Sequence, residues 1–311
     1  MNRRFWLFYE YNRPNYSYDI MGWGYPILRG YFGGGYTTAH TTEIDGIQFS
    51  DESAINPSAT LSVARFALAG VNSNTRGYFG GGSTGTNVNE IDGIQFSDET
   101  AINPSATLSV ARSGVTGVNS NIKGYFGGGY SDSASKEIDG IRFSDETAIN
   151  PSATLNVARW DVAGFNSATR GYFGGGNTGS RSDEIDGIQL SDESAINPSA
   201  TLSVARSGSA GVNSATRGYF GGGDTGSYSN EIDGIQFSDE SAINPSATLS
   251  AARILLAGVN SNTRGYFGGG STGSRTDEID GIQFLDETAI NPSATLSVAR
   301  YGVAGVQPGN Y

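Results

Sequence analysis

Gly77-Tyr78-Phe79-Gly80-Gly81-Gly82 is one of six copies of the same hexapeptide in this chain. The copies begin at residues 30, 77, 124, 171, 218 and 265, so consecutive copies are 47 residues apart. A second string, Glu-Ile-Asp-Gly-Ile, has the same period, and so has a third, Ala-Ile-Asn-Pro-Ser-Ala-Thr-Leu, which leads each time to an Ala-Arg pair. A fixed period of this length indicates a repeat architecture.

Each unit divides into four short segments separated by polar or glycine-rich turns. In the unit that follows Arg65, the segments cover 67–71, 76–79, 90–96 and 107–111. In the fourth segment Leu108 and Val110 alternate with other residues, which places them on one face of a strand. Runs of this length with a period of two residues predict β-strands, and none of them has the length or period of a helix.

Four short strands in a unit of 47 residues are typical of one blade of a β-propeller. Residues 30–311 make up six such units. The first unit starts at its second segment, and the chain ends in a first segment, 301–306, that has no second segment after it. We therefore predict an all-β, six-bladed β-propeller in which the C-terminal strand joins the N-terminal blade. This closure hides sheet edges that would otherwise invite aggregation.

The unit resembles the kelch repeat. The resemblance rests on an aromatic pair before two glycines, Tyr78-Phe79-Gly80-Gly81, and on Arg65 ahead of the innermost strand. The tryptophan of the kelch third or fourth strand is missing, which argues against a eukaryotic kelch adaptor. The unit is also similar to tandem repeats in virion structural and tail-fibre-like proteins of marine cyanophages. That resemblance implies a location in a phage particle.

The composition argues against several classes of function. A formal net charge of −12 repels phosphate backbones, so we expect no nucleic-acid partner. No run approaches the ~20 apolar residues of a membrane helix, so we expect no membrane insertion. The chain has no cysteine and a single histidine, His40, which excludes thiolate metal sites and argues against catalytic triads. We expect neither a metal nor a cofactor.

The six units differ from one another mainly in two places, after the Ala-Arg pair and after the triple glycine. In a four-stranded blade both connections lie on the same face of the disc, and loops on a rigid scaffold often carry binding residues. We predict a ligand-binding surface made of Phe66, Trp160, Ile254, Leu255 and Tyr301 near the channel mouth, and Tyr36, Tyr130, Arg181, Tyr228 and Arg275 farther out. The alternative is neutral drift in solvent loops, with the apolar residues packing between blades.

Residues 1–29 lie outside the repeat and are rich in aromatic side chains, among them Phe5, Trp6, Phe8, Tyr9, Tyr11 and Trp23. We predict that this segment is an anchor to other virion proteins. The alternative is a strap that packs on its own propeller.

Signals that suggest catalysis are weak. The glycine-rich strings lack the helix and the Lys-Ser/Thr pair of a phosphate-binding loop. Glu43, Asp45, Asp51 and Glu52 recur in every unit, whereas a catalytic pair would be unique, so we expect them to hold turns and ion pairs. Asp161 is the best isolated carboxylate for a polysaccharide hydrolase or lyase.

The leading hypothesis is a non-enzymatic virion protein, associated with the tail or a fibre, that binds a partner protein or a host surface glycan. A second hypothesis is a purely structural module docked by its N-terminal segment. A lectin-like, carbohydrate-binding propeller of cellular origin, located outside the cell, and a propeller hydrolase or lyase are the remaining alternatives.

Overall fold

The computed structural model describes residues 28–309, which form six four-stranded antiparallel sheets arranged as the blades of a propeller. The first strands of the blades contact one another in a closed cycle and are therefore innermost. These innermost strands are Ala69–Asn72 (β4), Thr116–Asn119 (β8), Ala163–Asn166 (β12), Ala210–Asn213 (β16), Ala257–Asn260 (β20) and Ala304–Val306 (β24). The second strands are Arg29–Gly33 (β1), Arg76–Gly80 (β5), Lys123–Gly127 (β9), Arg170–Gly174 (β13), Arg217–Gly221 (β17) and Arg264–Gly268 (β21).

The fourth and outermost strand of each blade is shorter than the other three. The third strands are Ile44–Gln48 (β2), Ile91–Gln95 (β6), Ile138–Arg142 (β10), Ile185–Gln189 (β14), Ile232–Gln236 (β18) and Ile279–Gln283 (β22). The fourth strands are Ala54–Ile55 (β3), Ala101–Ile102 (β7), Ala148–Ile149 (β11), Ala195–Ile196 (β15), Ala242–Ile243 (β19) and Ala289–Ile290 (β23). Blade 1 consists of β24, β1, β2 and β3, and blades 2 to 6 follow in chain order from β4 to β23.

The predicted fold and its closure are confirmed. The C-terminal strand β24 pairs with β1, with Val306 opposite Tyr31 and Ala304 opposite Gly33. Blade 1 is therefore built from both ends of the described chain. Its strand β1 begins at Arg29, and the carbonyl of Leu28 already accepts a hydrogen bond from the N–H of Phe49.

The prediction that residues 107–111 form the fourth strand is wrong. The fourth strand is Ala101–Ile102, upstream of Pro104, and the later stretch makes only an isolated bridge, between Thr107 and Glu90. The stretch is the return connection toward the next innermost strand, so its side chains do not follow strand alternation. Leu108 is buried, whereas Val110 is 47% exposed.

Glycine in the innermost strands permits the close approach of neighbouring blades. A Cβ atom on Gly117 of β8 would collide with the carbonyl oxygen of Gly70 in β4, and the same collision recurs between Gly305 and Gly258. Because every innermost strand has glycine at this position, the strands can converge around a narrow axial channel.

A buried arginine bridges each pair of neighbouring blades. The guanidinium of Arg65 donates to the carboxylate of Asp92 at 2.6 Å and to the carbonyl of Phe79 at 3.0 Å, both in blade 2. The backbone carbonyl of Arg65 accepts from the N–H of Gly35 in blade 1. The same ion pair occurs in Arg65–Asp92, Arg112–Asp139, Arg159–Asp186, Arg206–Asp233, Arg253–Asp280 and Arg300–Asp45.

A second set of ion pairs links the blades farther from the axis. Glu99 in blade 2 accepts hydrogen bonds from the guanidinium of Arg29 at 2.6 Å and the hydroxyl of Tyr31 at 3.0 Å, both in blade 1. Equivalent contacts follow around the ring and end at Glu52, which accepts from Arg264 and Tyr266. The expectation that the recurring acidic residues hold ion pairs is therefore confirmed.

We expect Arg112→Met to lower the free energy of unfolding by about 3–5 kcal/mol, because it leaves the Asp139 carboxylate buried and unpaired. The double variant Arg112→Met with Asp139→Asn should lose less than the sum of the two single variants. Urea unfolding measures these values. Additive losses would show that the two side chains are not coupled.

The matched control is Arg142→Gln, which breaks the exposed Arg142–Asp145 pair and restores the glutamine found at this position in the other blades. Since exposed ion pairs contribute about 0–1 kcal/mol, this variant should unfold close to the parent.

Candidate functional site

The two variable stretches of each unit are hydrogen-bonded to each other. The N–H of Phe66 donates to the carbonyl of Ser83, and the N–H of Ser83 donates back. The same pairing occurs in every blade, between Tyr301 and Tyr36, Phe66 and Ser83, Ser113 and Tyr130, Trp160 and Asn177, Ser207 and Asp224, and Ile254 and Ser271. These stretches therefore lie together, and we call the side of the disc that they form the variable face. The opposite side, which carries the short hairpin turns, is the turn face.

A closed ring of hydrogen bonds surrounds the axis on the variable face. It is formed by the backbones of Ala67, Gly114, Asp161, Gly208, Leu255 and Gly302, which we call the axial ring. Each N–H donates to the carbonyl of the preceding member at 2.7–2.9 Å. All six have a positive φ, between 52° and 67°. Glycine alternates with larger residues around the ring. A Cβ on Gly114, for example, would lie 2.7 Å from Oδ1 of Asp161, so there is no room for side chains on both of these neighbours.

Four of the predicted ligand-binding residues contact one another where the two chain ends meet. The centroid of the Tyr36 ring lies 5.5 Å from that of Tyr301 and 6.0 Å from that of Phe66. The guanidinium of Arg275 lies 5.6 Å from the same Tyr36 centroid. His40 stacks on Phe66 at 5.3 Å. We call these five residues the closure cluster. It joins blades 6, 1 and 2, so packing accounts for much of this part of the predicted surface.

Variable loops also make contacts specific to other junctions. The side-chain amide of Asn87 in blade 2 donates to the carbonyls of Tyr130 and Ser131 in blade 3. Arg181 in blade 4 forms a 2.8 Å ion pair with Asp224 in blade 5, which lowers the pKa of Asp224. Arg181 is thus engaged within the protein.

The remaining predicted residues are more available to a ligand. Tyr130 packs edge-to-face on Trp160 at 5.3 Å and is 40% exposed; we call these two residues the aromatic pair. Tyr228 is 39% exposed and lies in another sector of the same face. Leu255, a member of the axial ring, and the preceding Ile254 are both half-buried.

A ring of exposed valines on the variable face was not predicted. Five blades expose a valine at the same repeat position, namely Val63, Val110, Val157, Val204 and Val298, and the sixth has Ala251 there. The backbone around Val63 is held beside the variable loop of blade 1, because the N–H groups of Leu61 and Arg65 donate to the carbonyls of Thr42 and Thr41. They were missed because the alternation of Leu108 and Val110 suggested that both side chains are buried on one strand face.

Asp161 is the one acidic member of the axial ring. Burial raises the pKa of its carboxyl group to about 6. Desolvation is the only cause of this shift, and no hydrogen-bond or ion-pair partner within residues 28–309 contributes to it. A desolvated carboxylate without a partner destabilises the fold, so this residue is not explained by packing.

Three further expectations concern the N-terminal anchor, metal binding and membrane insertion. The proposed anchor residues Phe5, Trp6, Phe8, Tyr9, Tyr11 and Trp23 lie outside the described residues. Among residues 28–309, no group of three or more His, Asp or Glu side chains is arranged to hold a metal ion. The same range contains no helix long and apolar enough to cross a membrane.

No protein-family model matches this chain, and no curated protein shows significant similarity to it. The kelch-like and phage-like resemblances therefore stay predictions from the repeat itself.

We expect Tyr36→Ser to destabilise the protein by about 2 kcal/mol, because it removes a half-buried ring from the closure cluster. Serine stands at this repeat position in blades 2 and 6, so the backbone accommodates it. The control is Tyr130→Ser at the same repeat position, which should cost less than about 1 kcal/mol because that ring is more exposed. Equal losses in urea unfolding would refute a special contribution of the closure cluster.

Asp161→Asn should stabilise the protein at pH 7 by about 1–3 kcal/mol, because the charged form of Asp161 is desolvated. Its folded-state pKa lies above the unfolded value, so the folded state holds the proton more tightly. The unfolding free energy of the parent should therefore fall as pH rises from about 4 to about 6, relative to the variant. A difference that does not vary with pH, or that equals the effect of Asp132→Asn in an exposed loop, would contradict this.

Proposed function

We propose that this protein is a non-enzymatic recognition component of a phage particle, associated with the tail or a fibre, that binds a host surface glycan or a partner protein through its variable face. The observation that carries the proposal is the Tyr130–Trp160 pair, which lies partly exposed on the face where otherwise near-identical blades differ. Exposed aromatic rings bind the apolar faces of sugars and act as anchors in protein interfaces.

The surroundings of the aromatic pair support this choice of site. The side-chain amide of Asn87 donates to the carbonyls of Tyr130 and Ser131 and so holds the loop that carries Tyr130. Val157, in the same blade as Tyr130, is 37% exposed. The closure cluster, by contrast, uses its aromatic faces for internal contacts. We therefore centre the proposed site on Tyr130 and Trp160, with Tyr228 and Ile254 as a second sector.

The placement in a phage particle rests on the resemblance of the repeat to virion proteins. In this proposal the segment that precedes blade 1 attaches the propeller to other virion proteins and leaves the variable face free for a ligand. A lectin-like propeller of cellular origin, outside the cell, would use the same aromatic pair and differ only in its source.

A polysaccharide hydrolase or lyase has less support. The raised pKa of Asp161 suits a general acid. Burial is its only cause, however, and no second carboxylate contributes to it, whereas glycoside hydrolysis usually needs a pair.

The test is binding of the purified full chain to a broad glycan array, with Trp160→Ser as the variant. Serine occupies this repeat position in blades 3 and 5, so the variant should fold. We expect affinity to fall at least about tenfold, as for a central aromatic anchor. The matched control is Leu285→Ser on the turn face, which restores the serine of the other five blades and should bind like the parent.

Unchanged affinity in the folded Trp160→Ser variant would remove the aromatic pair from the site. Absence of any glycan binding would favour a protein partner or a purely structural role. Incorporation of a chain lacking residues 1–27 into particles would then be measured, and normal incorporation would refute the anchor.

A further inference from the structure

Two polar side chains replace small or apolar ones at the axis in neighbouring blades. Asp161 leads into blade 4 at a position that is glycine in three of the six units. Ser209 leads into blade 5, in a layer whose other members are Leu68, Val115, Val162, Leu256 and Val303. The two are adjacent in space, because the N–H of Gly208 donates to the carbonyl of Asp161 at 2.8 Å.

Both side chains border one cavity on the axis. The cavity has a volume of about 60 Å³ and is lined by the axial ring together with the layer that contains Ser209. That layer also borders the axial channel beneath it, which adds about 120 Å³. Leu255 and Leu256 form an apolar wall on the side of blade 6.

Neither polar group has a hydrogen-bond partner among residues 28–309. Ser209 is only 7% exposed, and its hydroxyl has no hydrogen-bond partner in the described part of the chain. Asp161 is half-buried, and its carboxylate likewise lacks a cation or donor there. Buried polar groups are normally paired, and partial desolvation of an unpaired carboxylate is costly. Two such groups at one cavity indicate a site for a group that residues 28–309 do not supply.

We propose that this axial site binds a primary ammonium group, such as the end of a lysine side chain from a partner. An ammonium has three donors and a positive charge, which match the carboxylate of Asp161, the hydroxyl of Ser209 and the carbonyls of the axial ring. The aliphatic stem then packs on Leu255 and Leu256. The net charge of −12 draws cations toward the protein.

Other cations fit this site less well. Calcium takes 6–8 oxygen ligands, carboxylates among them, and this cavity has a single carboxylate beside one hydroxyl and the axial-ring carbonyls. A guanidinium is planar and wide and binds best to a carboxylate presented edge-on for two parallel hydrogen bonds. The compact ammonium needs only the space of one or two water molecules.

The test uses the full chain and Nα-acetyl-lysine amide as the probe, titrated by calorimetry or by NMR chemical shifts. Nε-acetylation of the same probe removes its charge and gives the matched control ligand. We expect saturable binding of the free amine and none of the acetylated compound. Asp161→Asn should weaken binding about tenfold or more, because the acceptor loses the negative charge that strengthens its hydrogen bond to the ammonium.

Ser209→Val restores the residue found in three other units and should weaken binding several-fold while the protein stays folded. Asp132→Asn, in an exposed loop, should leave binding unchanged. Equal binding of the acetylated probe, unchanged affinity in Asp161→Asn, or displacement by equal concentrations of sodium would overturn the proposal. The lysine probe and the glycan array are separate measurements, so failure of one does not imply failure of the other.

Discussion

The buried arginine that joins each blade to the next is the interaction on which the ring depends. Its backbone belongs to the connection between blades, and its guanidinium reaches a carboxylate inside the following blade. Removing either partner leaves a buried charge unpaired. The connection and the blade are therefore stable only when they are packed against each other. The last of these pairs, Arg300–Asp45, joins the two ends of the chain and makes closure part of the same network.

The six junctions share the same buried ion pair, so these pairs alone do not determine which blade packs next to which during folding. The variable loops make the junctions different. Among the described residues, the side-chain hydrogen bonds of Asn87 mark the junction of blades 2 and 3, and the Arg181–Asp224 ion pair marks that of blades 4 and 5. The closure cluster marks the junction where the chain ends meet. A blade inserted out of order would lose these contacts, so variation on this face also favours one order of assembly.

The sequence was sufficient for the fold because the period of 47 residues and the split first unit are both visible in it. It misplaced the fourth strand, since Leu108 and Val110 alternate as strand residues do although only Leu108 is buried. The proposed site was predicted only as a face. Which residues contact each other depends on neighbouring blades, and no pattern along the chain reveals that Tyr36 meets Arg275 while Tyr130 stays exposed.

The axial ring shows how a scaffold constraint can mark a functional position. Its positive φ values strain every residue except glycine, by about 1–3 kcal/mol each. Glycine at all six positions would thus be the stable solution, yet Asp161 adds desolvation to that strain. A strained and desolvated residue that no described neighbour stabilises is expected at a functional site. Asp161 and the neighbouring Ser209 line one cavity, and in our proposal the bound ammonium group supplies the compensation there.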